Sequence, residues 1–147
     1  MLLQRGAAQV HACDVGYGLL DVKIASNPRV LVHDRINVRG LTPQQLGERV
    51  ALCTIDVSFI SLKLVLPAAR GLLVERGTVV ALVKPQFEVG PDKIAKGGVV
   101  RDPAARQEAI DRVCDFARRL GFEVRGTMDS PVHGPAGNVE ALAWLQL

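Results

Sequence analysis

A chain of 147 residues is long enough to bury one real core, and 48% apolar residues with a mean hydropathy of +0.20 exclude a disordered chain. Aromatics make up only 4%, so the core must be aliphatic, as in the buried strands of a parallel sheet. A net charge of +3 and a pI near 9.0 permit an anionic partner without demanding one, and no apolar run reaches membrane-spanning length.

In chain order, Met1-Leu-Leu-Gln-Arg-Gly6 is too short for a signal peptide and reads as the last turn of a helix stopped at Gly6. Residues 9–14 read as a short strand ending in an acid. Gly16-Tyr-Gly18 predicts a turn, and residues 19–25 a short helix broken by Pro28. Residues 30–33 predict another strand. Thr42-Pro43 starts a small helix that Gly47 ends. Residues 50–56 are strand-like. Ser61 reads as the cap of a helix running to about Glu75 and closed by Gly77, with Pro67 near its start. Residues 78–84 are the most β-like run, and residues 85–101 form a long loop with Gly90-Pro91 and Gly97-Gly98. Asp102-Pro103 supplies an N-cap and a first-turn proline, and Ile110, Val113, Cys114, Ala117 and Leu120 recur at helical spacing up to Gly121. Residues 122–128 and 138–147 are two final strands joined through Pro131, Gly134, Pro135 and Gly137. Strands alternating with helices predict a parallel sheet, and the last strand, lacking a helix before it, is expected to be antiparallel.

Three polar residues interrupt apolar strand-like runs: Asp56 in Cys53-Thr-Ile-Asp-Val-Ser-Phe-Ile-Ser61, Lys84 in Val79-Val-Ala-Leu-Val-Lys-Pro-Gln-Phe-Glu88, and Glu140 in Gly137-Asn-Val-Glu-Ala-Leu-Ala-Trp144. A charge closing an apolar strand is costly unless it is paired or useful. Ligands of open α/β sheets sit at the carboxyl ends of parallel strands, so Asp56 and Lys84 are expected to meet over one crevice. Each has a plainer reading. Asp56 reads equally as a helix cap, Lys84 as a strand-end lysine reaching water, Glu140 as an outward-turned surface acid, and Asp14 as a turn former. Tyr17 suits either stacking or packing, and Trp144 reads as core or edge packing. Cys13, Cys53 and Cys114 are an odd set without a CxxC pair. They read as buried reduced thiols in a cytoplasmic protein, and neither they nor the three histidines show metal-ligand spacing.

Several segments, in order along essentially the whole chain, resemble one family. They are Cys13-Asp-Val-Gly-Tyr-Gly18, Ile55-Asp-Val-Ser-Phe-Ile-Ser61, Val83-Lys-Pro-Gln-Phe-Glu88, Lys96-Gly-Gly-Val-Val-Arg-Asp-Pro103 and Gly137-Asn-Val-Glu140. The resemblance is to the TlyA family of FtsJ-like ribosomal RNA 2′-O-methyltransferases, often labelled haemolysin A. It implies a Rossmann-like sheet with an antiparallel last strand, S-adenosylmethionine as cofactor, and a cytidine ribose 2′-hydroxyl in ribosomal RNA as substrate. It implies Asp56, Lys84 and Glu140 as members of a catalytic tetrad. Asp14, Val15, Asn37 and Asp56 are implied at the cofactor. Lys93, Lys96 and Arg101 in the long loop are candidates for RNA phosphates, or else a solvated loop.

The chain also departs from the family pattern. An S4 RNA-binding domain, the first tetrad lysine, the first strand and the glycine-rich loop after it have no counterpart in these residues. Residues 1–147 are therefore expected to form a partial methyltransferase domain with a weakened cofactor site and little activity on its own. The rival readings are a non-catalytic remnant binding RNA or a partner, a cytolysin, and a dinucleotide-binding enzyme. The lack of an amphipathic basic segment disfavours the cytolysin, and the lack of a glycine fingerprint disfavours the dinucleotide enzyme.

Overall fold

The computed structural model describes all residues 1–147, which divide into two compact units, Met1–Glu48 and Arg49–Leu147. In the first unit a 3-10 turn over Leu3–Arg5 ends at Gly6. Strand β1 (Val10–Cys13) pairs in parallel with β2 (Val30–His33), from Val10 against Val30 to Cys13 against His33. Parallel neighbours need a crossover, and helix α1 (Val22–Ala25) lies within it, capped by the Asp21 carboxylate on the Lys23 amide. The helix is shorter than the expected residues 19–25, because Asp21 fixes its start. Helix α2 (Pro43–Leu46) carries a reciprocal capping box between Thr42 and Gln45 and stops at Gly47, as its residues predict.

The second unit is a four-stranded sheet of order β3-β4-β6-β5. Strand β3 (Val50–Ile55) is parallel to β4 (Leu73–Val83), and β6 (Ala141–Gln146) runs antiparallel to both β4 and β5 (Glu123–Asp129). The expected antiparallel last strand is thus present, inserted between β4 and β5. Val79, Ala81 and Val83 of β4 and Ala141, Ala143 and Leu145 of β6 point to one buried face. Helix α3 (Leu66–Leu72) supplies Leu66, Ala69 and Leu72 to the core, and α4 (Pro103–Arg119) supplies Ala105, Ala109, Ile110, Val113, Cys114 and Ala117. Burying each of the larger side chains contributes roughly 1.5–3 kcal/mol. Helix α4 begins as its sequence predicts, with Asp102 accepting from the Ala104 amide and Pro103 in the first turn.

Three expectations are corrected. Ser61 caps only a 3-10 turn, Leu62–Leu64, and the helix that follows ends at Leu72 rather than near Glu75. Leu73 already pairs with Val50, and the register then jumps to Leu52 against Thr78, so residues 74–77 loop out. Gly77 does not close a helix; it sits where an added Cβ would lie 2.9 Å from Leu73 and from the Val74 carbonyl. The cysteines are not uniformly buried: Cys114 is, Cys53 is half-buried and Cys13 is exposed. Trp144 lies on the sheet face opposite the core and is half exposed, not core packing.

Candidate active site

Asp56 is the first residue beyond β3 and Lys84 the first beyond β4, so two parallel strands deliver them to the same sheet edge. The Lys84 Nζ lies 2.7 Å from Asp56 Oδ1 and donates to Ser58 Oγ at 2.9 Å. The lysine side chain is only 14% exposed, whereas that of Asp56 is 70% exposed. The amine is therefore sheltered while the acid opens to solvent. Asp56 does not cap the following turn, since Ser61 does that through the Lys63 amide.

Glu140 directly precedes β6. Val83 against Ala141 is the last rung of the β4–β6 ladder, so Lys84 and Glu140 leave the sheet at the same end. Glu140 is 4% exposed, which corrects the outward reading. Its Oε1 accepts from Gln86 Nε2 at 3.3 Å, and a Cβ on Gly134 would come within 2.7 Å of that oxygen. Asn138, also buried, accepts from the Val100 amide and donates to the Gly98 carbonyl, both at 2.9 Å. Arg106 of α4 donates to the Val139 carbonyl and pairs with Asp129. The segment leading to Glu140 is thus held from two sides.

The loop after β3 lies along the segment after β4. Phe59 takes a left-handed φ of +61° and is 92% exposed, with its ring centroid 5.2 Å from that of Phe87. Glu88, 9% exposed, accepts from Ser61 Oγ at 2.6 Å and from the Leu62 amide at 2.7 Å. Burial pushes the Glu88 carboxyl above its ordinary range, against the opposing pull of those two hydrogen bonds and of Lys63. Sequence reasoning did not single out Ser58, Phe59, Gln86, Glu88 or Asn138. Each lies inside a quoted motif, but Ser58, Phe59, Glu88 and Asn138 meet partners at least 26 residues away and Gln86 meets Glu140 across the sheet.

In the long loop, Lys93 is ion-paired with Glu108 of α4, so it is not the free cation the sequence suggested. Lys96 and Arg101 are exposed. Lys93, Arg101, Asp92 and Asp102 line an open cleft of about 350 Å³ that includes none of Asp56, Lys84 and Glu140.

In the first unit, Asp14 follows β1 and its Oδ1 accepts from the Gly16 amide at 2.7 Å, so the turn-forming reading holds for that oxygen. Asp14 is exposed and Val15 is 70% exposed. Asn37 caps a short turn through its Oδ1, which the Arg39 amide and Nε share. An exposed carboxylate beside an exposed apolar residue suits the hydroxyls and flat base of a nucleoside. The Tyr17 ring is covered by the Arg35 guanidinium at 4.5 Å. On the same unit His11 bridges His33, at 2.9 Å, and Glu48, at 3.0 Å.

All residues 1–147 match the family described as FtsJ-like methyltransferase. A curated relative from Mycobacterium tuberculosis, the 16S/23S rRNA (cytidine-2′-O)-methyltransferase TlyA, is 49% identical over 146 residues, 99% of this chain and 54% of that protein. A solved structure from Lactococcus lactis, described as a hemolysin, superposes with a TM-score of 0.95 at 44% identity, over 99% of this chain and 70% of that one. Another so described, from Streptococcus thermophilus, gives 0.95 at 43% identity, over 99% of this chain and 53% of that one. The chain spans about half the length of the curated relatives it matches. No helix is long and apolar enough to cross a membrane.

Proposed function

We propose a function from one premise: the chain belongs to the FtsJ-like methyltransferase family. The reaction is transfer of a methyl group from S-adenosylmethionine to the ribose 2′-hydroxyl of a cytidine in ribosomal RNA, in the cytoplasm. The observation that carries this reading is the sheltered Lys84 amine, held by Asp56 and Ser58 at the carboxyl ends of two parallel strands, with Glu140 leaving the sheet at the same end.

The cofactor supplies an electrophilic methyl on a sulfonium. Accepting that methyl would require the ribose oxygen to be held in line with it and the hydroxyl proton to be taken up by a group of the protein. Lys84 would orient the ribose oxygen and, in its neutral amine form, take up the hydroxyl proton. Asp56 holds Lys84 and offsets positive charge nearby, and Glu140 braces the end of β4. Asp14 would accept from the cofactor's ribose hydroxyls, with Val15 and Asn37 beside its base. Phe59 presents a nearly bare ring at the same edge, which suits a stacked RNA base. Lys96 and Arg101 are exposed cations for RNA phosphates, and Lys93 joins them only by sharing its pair with Glu108.

The test is methyl incorporation from labelled S-adenosylmethionine into ribosomal subunits, with products digested to nucleosides. Lys84→Ala should lower formation of 2′-O-methylcytidine by about 10²–10⁴-fold, the usual worth of a positioned acid–base group. Equal incorporation by parent and variant removes Lys84 from the chemistry. Calorimetry with S-adenosylmethionine reads the cofactor site separately, and an affinity unchanged in Asp14→Ala would remove Asp14 from it.

A further inference from the structure

Four contacts run in sequence between the loop after β3 and the segment after β4. Asp56 and Ser58 hold Lys84, Phe59 lies against Phe87, and Ser61 with the Leu62 amide holds Glu88. The first contacts are open to solvent or rest on an exposed ring. Only the last is made by a buried carboxylate accepting two short hydrogen bonds, one of them from a backbone amide. Exposed ties hold a loop weakly, whereas removing one partner of a buried charged hydrogen bond is costly.

We propose that Glu88 is a positioning residue: its carboxylate fastens the loop after β3 to the segment after β4 and thereby sets where Lys84 stands against Asp56 and Ser58. The proposal rests on the reading of Lys84 as part of the methyl-transfer site. Glu88 touches no reacting atom. It acts through residues 58–62, whose path includes the left-handed Phe59, a conformation the chain leaves once it is no longer held.

The surroundings of Glu88 make its ionisation a usable probe. Burial raises its pKa; Ser61, the Leu62 amide and Lys63 lower it. Helix α4 contributes a buried face whose only titratable group is the Cys114 thiol, which burial favours in its neutral form. Neutralising Glu88 therefore weakens the grip on Ser61 and Leu62 without introducing a new charge.

The experiment is an amide-shift titration of the ¹⁵N-labelled chain. In the parent, the Leu62 amide should move as Glu88 takes up a proton, and the Phe59 and Lys84 amides should move with the same midpoint, above the ordinary carboxylate range. Glu88→Gln should abolish that shared midpoint in all three, and Asp56→Asn should retain it. Movement of Leu62 alone would overturn the proposal, because Glu88 would then be a local cap and nothing more. If Glu88→Gln fails to fold, Ser61→Ala removes one of the two ties. Displaced Phe59 and Lys84 signals in that variant support the clamp, and unmoved ones overturn it.

Methyl transfer supplies the second readout. Glu88→Gln should lower kcat by about tenfold or more, since a misplacement of about 1 Å costs up to about 10²-fold, while KM for S-adenosylmethionine stays put. An unchanged kcat would overturn the positioning role. A parent that transfers no methyl group would overturn the reading of the site instead, and the amide shifts alone would then support or overturn the clamp.

Discussion

Asn138→Ala tests whether the segment before Glu140 is held as the hydrogen bonds indicate. Asn138 is nearly fully buried and uses both ends of its amide, on Val100 N–H and on the Gly98 carbonyl. Gly98 is exposed, so its carbonyl regains water in the variant and adds little to the loss. Val100 is buried, so its N–H is left without a partner, a penalty of about 1–3 kcal/mol. The expected loss is therefore about 2 kcal/mol, a sizeable part of a total of about 5–15 kcal/mol. With a urea m-value of about 2 kcal/mol/M, the midpoint should fall by about 1 M. The assay is urea unfolding followed by Trp144 fluorescence and circular dichroism, with hydrogen exchange read at the Val100 amide. A midpoint within about 0.2 M of the parent, together with continued protection of that amide, would show the bond to be replaceable and refute the reasoning.

Two further outcomes follow from geometry. Phe59→Gly removes a left-handed residue that costs about 1–2 kcal/mol and an exposed ring that buries little, so the variant should melt slightly higher while its affinity for RNA falls. Calorimetric melting and an RNA-binding titration decide this, and a lower melting temperature would mean the ring packs. His33 has its pKa lowered by burial and, less, by the charge of His11. The folded state then takes up this proton less readily than the unfolded chain, so its contribution is complete above the ordinary histidine value of 6.5 and is lost as pH falls below it. Protection of the β1 and β2 amides against hydrogen exchange, taken relative to the intrinsic exchange rate at each pH, should fall below that pH, and His33→Gln should remove that dependence.

The strands and α4 were legible because their signals are local. Residues 30–33 and 50–55 are β-branched or aliphatic runs, and α4 announces its start with Asp102-Pro103 and its end with Gly121. The end of α3 was not legible. Leu73 and Val74 continue an apolar helical pattern, and only pairing of Leu73 with Val50 turns the chain into strand. Among site residues, Asp56 and Lys84 stood out because a charge at the end of an apolar strand is anomalous by itself. Glu140 was ambiguous, because alternation within β6 does not apply to a residue lying before its first rung. Ser58, Glu88 and Asn138 gave no signal, since a hydrogen bond to a residue 26 or more positions away leaves no trace in local spacing.

What separates structural from functional polar residues here is whether folding accounts for them. Asn138 is buried and bonded to a backbone amide, so the fold itself requires it. The Asp56–Lys84 pair is open on its acidic side, and a pair so exposed contributes only about 0–1 kcal/mol. Phe59 is worse than neutral for folding, since an apolar ring in water is joined to a disfavoured backbone angle. Chance would scatter features that stability does not explain. Asp56 and Phe59 belong to one short loop, and Lys84 joins them from the neighbouring strand, at one edge formed by the carboxyl ends of two parallel strands. A constraint other than stability must keep them there, and a ligand that takes up the acid, the amine and the bare ring together is the physical form that constraint would take.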